Sequence, residues 1–119
     1  MVELLNRLFE SREVAHAMHL KTGSFAGHKA LDDYYSAIVD HIDLLAETYQ
    51  GQYGIVEDYQ MMGRDVNLDD PIAYFEDLVL FIKTKRKDMI NDDNEHLITI
   101  FDDITILNYT TLYKLKNLR

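Results

Sequence analysis

Leu31, Tyr35, Ile38, Ile42, Leu45 and Tyr49 stand alternately four and three residues apart. That spacing returns side chains to one face of an α-helix and to no single face of a strand. It holds over nearly three heptads, a length that strands of small domains do not reach. Pro71 is the one proline, and five glycines are spread over 119 residues. With so few breakers and several such patterns, the expectation is an all-α protein.

Stop and start signals divide the chain into four helices. Helix 1 is expected over Val2 to Lys21, with Leu4, Leu5, Leu8, Ala15, Met18 and His19 at helical spacing. Gly23 is a natural stop, and Ser24 a natural N-cap for helix 2, expected from about Ser24 to Gln50. Residues 51–70 lack sustained periodicity, and Ile55 to Met62 could form a short helix closed by Gly63. Asp69-Asp70-Pro71 opens helix 3, which carries Ile72, Phe75, Leu78, Val79 and Ile82 and ends in the basic run Lys83 to Lys87. Asn91 to Asn94 reads as a turn. Helix 4 is expected from about Asp93 to Asn117, with Leu97, Phe101, Ile104, Leu107, Thr111, Leu115 and Leu118 inward. Its Ile and Thr content is partly strand-like, but its length and period favour helix.

Connection lengths then set the topology. Helices 1 and 2, and helices 3 and 4, are joined by short turns, so each pair should be antiparallel. The middle connection, residues 51–70, extended at ~3.3 Å per residue, reaches ~65 Å. A helix of about 25 residues is only ~37 Å long. The connection can cross the whole bundle and leave helices 2 and 3 parallel. The expected fold is a single domain over residues 1–119: a four-helix bundle with a long crossover between helices 2 and 3, the ferritin-like arrangement.

Composition removes several function classes. There is no cysteine, so disulfides, thiolate metal sites and cysteine nucleophiles are excluded. Any metal would need His, Asp and Glu, which suits iron, manganese or zinc. A net charge of −9 argues against a nucleic-acid partner and is compatible with attracting cations. No apolar run is long enough to span a membrane, and MVELLNRLFESRE does not read as a signal peptide. A soluble cytoplasmic protein is the default expectation. A core this small is thin, and oligomerisation commonly compensates.

The polar residues of helix 2 form a second pattern. At about 100° per residue, and with His28 at zero, Asp32 lies near 40°, Asp43 near 60° and Glu47 near 100°. This stripe flanks the apolar seam. Asp32 and Asp43 are nevertheless about 16 Å apart along the axis, so one ion cannot touch both from one straight helix. The stripe divides into His28 with Asp32 and Asp43 with Glu47, each at i,i+4. A two-fold axis near the helix midpoint would bring one copy's first pair to the other's second. His16 or His19 could add a ligand from helix 1. The plainer reading is a solvated face with i,i+4 pairs.

HxxH, a glycine-containing loop with Phe, H-x-x-x-D, and D-x-x-x-E within DHIDLLAE together resemble Dps proteins, the miniferritins of the ferritin-like group. The resemblance covers residues 16–50. It implies a metal site between two-fold-related subunits, with His19, His28 and Asp32 from one chain and Asp43 and Glu47 from its partner. It also implies iron, or another divalent ion such as zinc or manganese, with Fe(II) oxidised by peroxide or oxygen and sequestered. The metal ligands would be the only catalytic groups, and the assembly would be a dimer at least, or a larger shell. A different class is also open: a catalytically silent helical oligomer acting as a structural or interaction protein. DNA protection by such a particle is a weaker third idea, given the acidic charge.

Overall fold

The computed structural model describes residues 1–60 and 63–118, and the described residues form four α-helices and one 3₁₀ turn. Helix α1 spans Val2–Lys21, α2 Phe25–Tyr53, α3 Pro71–Asp88 and α4 Glu95–Asn117, with the 3₁₀ turn at Asp92–Asn94. No strand occurs among the described residues. No helix is long and apolar enough to cross a membrane among those residues.

The helix ends follow from local chemistry. Ser24 caps α2, its Oγ accepting from the Gly27 amide at 3.0 Å. Asp70 caps α3 through the Ala73 amide at 3.1 Å, with Pro71 in the first turn, where its missing N–H costs nothing. Gly54 ends α2 at a φ of 100°, a conformation that favours glycine. Lys85, Arg86 and Lys87 place cations on the last turn of α3.

Helix α1 packs on α2, α2 on α4, α4 on α3, and α3 more thinly on α1, while across one diagonal the rings of Tyr34 and Phe75 meet in the core. The core joins Leu4, Leu5 and Leu8 to Leu31, Ile38 and Leu45, and these to Phe75, Ile82, Phe101 and Ile104. Each such side chain contributes about 1.5–3 kcal/mol on burial. Between α1 and α3 long polar chains share the work. Arg7 lies 4.2 Å from the Phe81 ring centroid and reaches Asp77 at 3.4 Å, while Lys85 pairs with Glu3.

The connection between α2 and α3 runs along α1. The Gln60 amide donates to Asn6 Oδ1 at 3.3 Å, and Tyr59 meets Phe9 edge-on at 6.0 Å. Arg64 grips Glu10 with two bonds of 2.9 and 3.0 Å, and Lys21 reaches Asp69 at 2.9 Å. Tyr74 of α3 adds its hydroxyl to Glu10 at 2.9 Å. Burial alone would raise the Glu10 carboxyl; the bonds from Arg64 and Tyr74 outweigh it and hold the group below the usual carboxylate range.

Several expectations need correction. Ile55 to Gln60 is not helical; Met61, Met62 and Arg119 lie outside the described residues. Tyr34, not Tyr35, is the buried aromatic of α2, and Tyr35 and Tyr49 are only half-buried. Both tyrosines flank the same seam; the presence of α4 on one side selects Tyr34. In α4, Leu107 and Leu115 are half-buried and Leu118 is exposed, while Ile100, Asn108 and Leu112 are inside. Helix α2 is also longer than its apolar seam, because Gln52 and Tyr53 hold Asn94 in the turn before α4.

Candidate functional site

The turn between α1 and α2 brings three histidines together. Helix α1 ends at Lys21, so its last carbonyls lack intrahelical donors. The Thr22 amide answers the Met18 carbonyl at 2.9 Å. The next, His19 O, is answered from the other helix: His28 Nδ1 lies 2.8 Å away. The reverse bond also forms, His19 Nδ1 to His28 O, at 2.7 Å. A carbonyl only accepts, so both Nδ1 atoms carry the proton. In the neutral form each ring then has its lone pair on Nε2.

The two rings stack with centroids 3.6 Å apart and planes 21° apart. His19 is buried and His28 half-buried. His16, exposed, stacks on Tyr35 at 4.4 Å, and Tyr35 meets His19 edge-on at 5.3 Å. The Tyr35 hydroxyl is pushed above its ordinary range by desolvation and then by the neighbouring Asp32 carboxylate, with Arg12 opposing. Asp32 also accepts from Ser36 at 3.3 Å. His16, His19, His28 and Asp32 thus lie along the seam of α1 and α2.

Asp43 and Glu47 do not join them. They lie exposed further along α2, one turn apart, with no ion pair or side-chain hydrogen bond among the described residues. No group of three or more His, Asp or Glu close enough to hold a metal occurs in the single chain among those residues. The separation of about 16 Å expected from helical rise keeps Asp43 and Glu47 from Asp32, and the three histidines with Asp32 do not form such a group either.

A model of a family of unknown function, DUF5856, matches residues 19–115. The chain belongs to this family. No curated protein and no solved structure matches it. The DUF5856 match begins at His19 and takes in His28, Asp32, Asp43 and Glu47, while His16 precedes it. It also takes in the whole of α2, α3 and the connection between them.

The DUF5856 domain has a groove of about 890 Å³ between α1, Phe81 of α3 and the connection. None of the histidines lines it; Phe9, Val14, Arg64 and Phe81 do. Sequence reasoning missed Tyr35 as a neighbour of the histidines and Arg12 as a charge near Tyr35. The signal was present in the spacing: His16 and Arg12 are one turn apart on α1, as are Asp32 and Tyr35 on α2, and an antiparallel pair must bring them level.

Proposed function

We infer that this DUF5856 domain is a ferritin-like bundle of the Dps type that binds iron, or a similar divalent ion such as zinc or manganese, between two copies of the chain. The observation that carries the reading is the tautomer of the histidine pair. With both Nδ1 protons spent on backbone carbonyls, the Nε2 lone pairs stay free for a ligand. His28 lies one turn from Asp32, His19 stacks on His28, and His16 adjoins His19. Asp43 and Glu47 supply carboxylates of the right hardness for iron, but only a second copy can bring them to the histidines. The contacts of the connection with Asn6, Glu10 and Lys21 support the ferritin-like reading, since they carry the chain back along α1 before α3 begins. Fe(II) would be substrate and cargo of such a site, with peroxide or oxygen as oxidant.

A thermal melt with and without Zn(II) tests this. Binding to the folded state alone raises stability by about 2.7 kcal/mol when free metal is about 100 times Kd. The melting temperature of the parent protein is expected to rise by several degrees, and Asp43→Asn or His28→Ala to remove the shift. An unchanged melting temperature with Zn(II), Mn(II) and Fe(II) would sink the reading.

One observation favours a second reading, a silent structural or interaction bundle. The reciprocal bonds of His19 and His28 satisfy an orphan helix-end carbonyl and join α1 to α2 without any ion. On that reading Asp43 and Glu47 are solvated, and no metal changes the melt.

A further inference from the structure

Two neighbouring faces of the bundle share α4 and carry opposite charge. On the α3–α4 face, Lys83 and Lys87 form no ion pair with any carboxylate among the described residues. Lys83 instead lies over Tyr109, its Nζ 4.9 Å from the ring centroid. Leu80 and Tyr113 stand exposed beside them. On the α2–α4 face, Asp40 and Asp103 are exposed and likewise have no ion pair among the described residues. Leu44 of α2 and Ile106 of α4 are exposed there.

The two faces also match in height. Along α3–α4, Lys83 meets Tyr109 and Arg86 meets Asp102, so Lys87 lies within about one turn of the level of Asp103. Along α2–α4, Lys114 meets Asp33 and His96 meets Gln52. Those pairs set Leu44 near the level of Asp103, and Asp40 within about one turn of Tyr109. Two chains with the same helix direction and the same height would therefore bring Lys83 level with Asp40 and Lys87 level with Asp103. Their exposed leucines, isoleucine and tyrosines would lie between.

We propose that the α3–α4 face of one chain docks on the α2–α4 face of a second copy of this chain, through Lys83 to Asp40 and Lys87 to Asp103. The contact is head-to-tail, so it does not close at two copies and generates a ring or a filament. None of His16, His19, His28, Asp32, Asp43 or Glu47 is one of its paired residues, and its test reads mass and not metal. Apolar side chains rimmed by complementary charge are the composition expected of such a face.

Light scattering on the full chain at physiological salt tests the contact. The parent protein is expected to have a mass above that of two copies. Lys83→Glu with Lys87→Glu should lower it at least twofold, and so should Asp40→Lys with Asp103→Lys. The chain carrying all four substitutions regains complementary faces and should regain the parent mass. All four positions are exposed, and helical circular dichroism checks that each variant is folded. A parent mass of one or two copies, or charge-reversed variants that keep the parent mass, or a fourfold variant that stays small, would overturn the proposal.

Discussion

Tyr34→Ala is expected to lower the free energy of unfolding by about 3–5 kcal/mol, the cost of emptying a buried aromatic site. For a domain whose total stability is about 5–15 kcal/mol, that loss brings the folded state close to failure at ordinary temperature. Tyr34 is completely buried, and its ring meets Phe75 edge-on at 4.7 Å. Its hydroxyl is inside as well. Ser11 Oγ donates to Leu8 O at 2.6 Å, so at 2.8 Å it accepts from Tyr34. Burial pushes the Tyr34 phenol up and keeps it neutral. The ring and the hydroxyl can be separated experimentally. Tyr34→Phe removes only the donor and should cost about 1 kcal/mol. Ser11→Ala leaves a buried hydroxyl without its acceptor and should cost about 1–3 kcal/mol. The double variant, Ser11→Ala with Tyr34→Phe, should lose less than the sum of the two. Urea unfolding of the four proteins measures this; strict additivity would contradict the pairing.

Glu10 carries the second large effect. It accepts two bonds from Arg64 and one from Tyr74, and so fastens the connection and α3 to α1 at one point. Arg64 is partly open to solvent, which reduces the worth of the ion pair. Glu10→Ala also leaves the largely buried Tyr74 hydroxyl without an acceptor, and should cost about 2 kcal/mol in all. The sign with pH follows from the direction of the shift. The folded Glu10 carboxyl is depressed, so its stabilisation is complete above the unfolded carboxylate range, near pH 4.3, and is lost as pH falls through the lower folded value. Acid unfolding of the parent protein should therefore be steeper below about pH 4 than that of Glu10→Gln. Parallel profiles for the two proteins would show that Glu10 is not the group responsible.

The helices were legible in the sequence because their signals are local. Ser24 and Asp70 cap where a side-chain oxygen must cap, and the basic run of α3 ends its helix. What was not legible depends on neighbours. Tyr34 and Tyr35 are about 100° apart on α2, and periodicity alone cannot decide which one another helix covers. Asn108, a polar side chain the periodicity of α4 did not pick out, is fully buried, its Nδ2 bonded to Ile104 O at 2.9 Å and its Oδ1 without a partner among the described residues. Residues 55–60 lacked a sustained period, so a short helix there was open, yet amides of the segment are drawn to side chains of Gln50 and Asn6. At the candidate site, helical arithmetic gave the separation of Asp32 from Asp43. It could not give the exchange of bonds between His19 and His28, because backbone carbonyls leave no trace in the residue pattern.

That exchange sharpens the question of whether two half-sites belong to one function. The direct measurement is metal content after mixing two variants under conditions that exchange subunits. One variant carries His28→Ala, and the other carries Asp43→Asn with Glu47→Gln. Each variant keeps one half-site and lacks the other, so neither alone can assemble a whole site, and each by itself should retain little Zn(II) after desalting. In a mixed pair, the second variant's His28 and Asp32 meet the first variant's Asp43 and Glu47, and one intact site is restored. Zinc retained by the mixture and by neither parent variant is the predicted result. A mixture that retains no more than its components, or a single variant that retains as much as the parent protein, would contradict a site shared between chains.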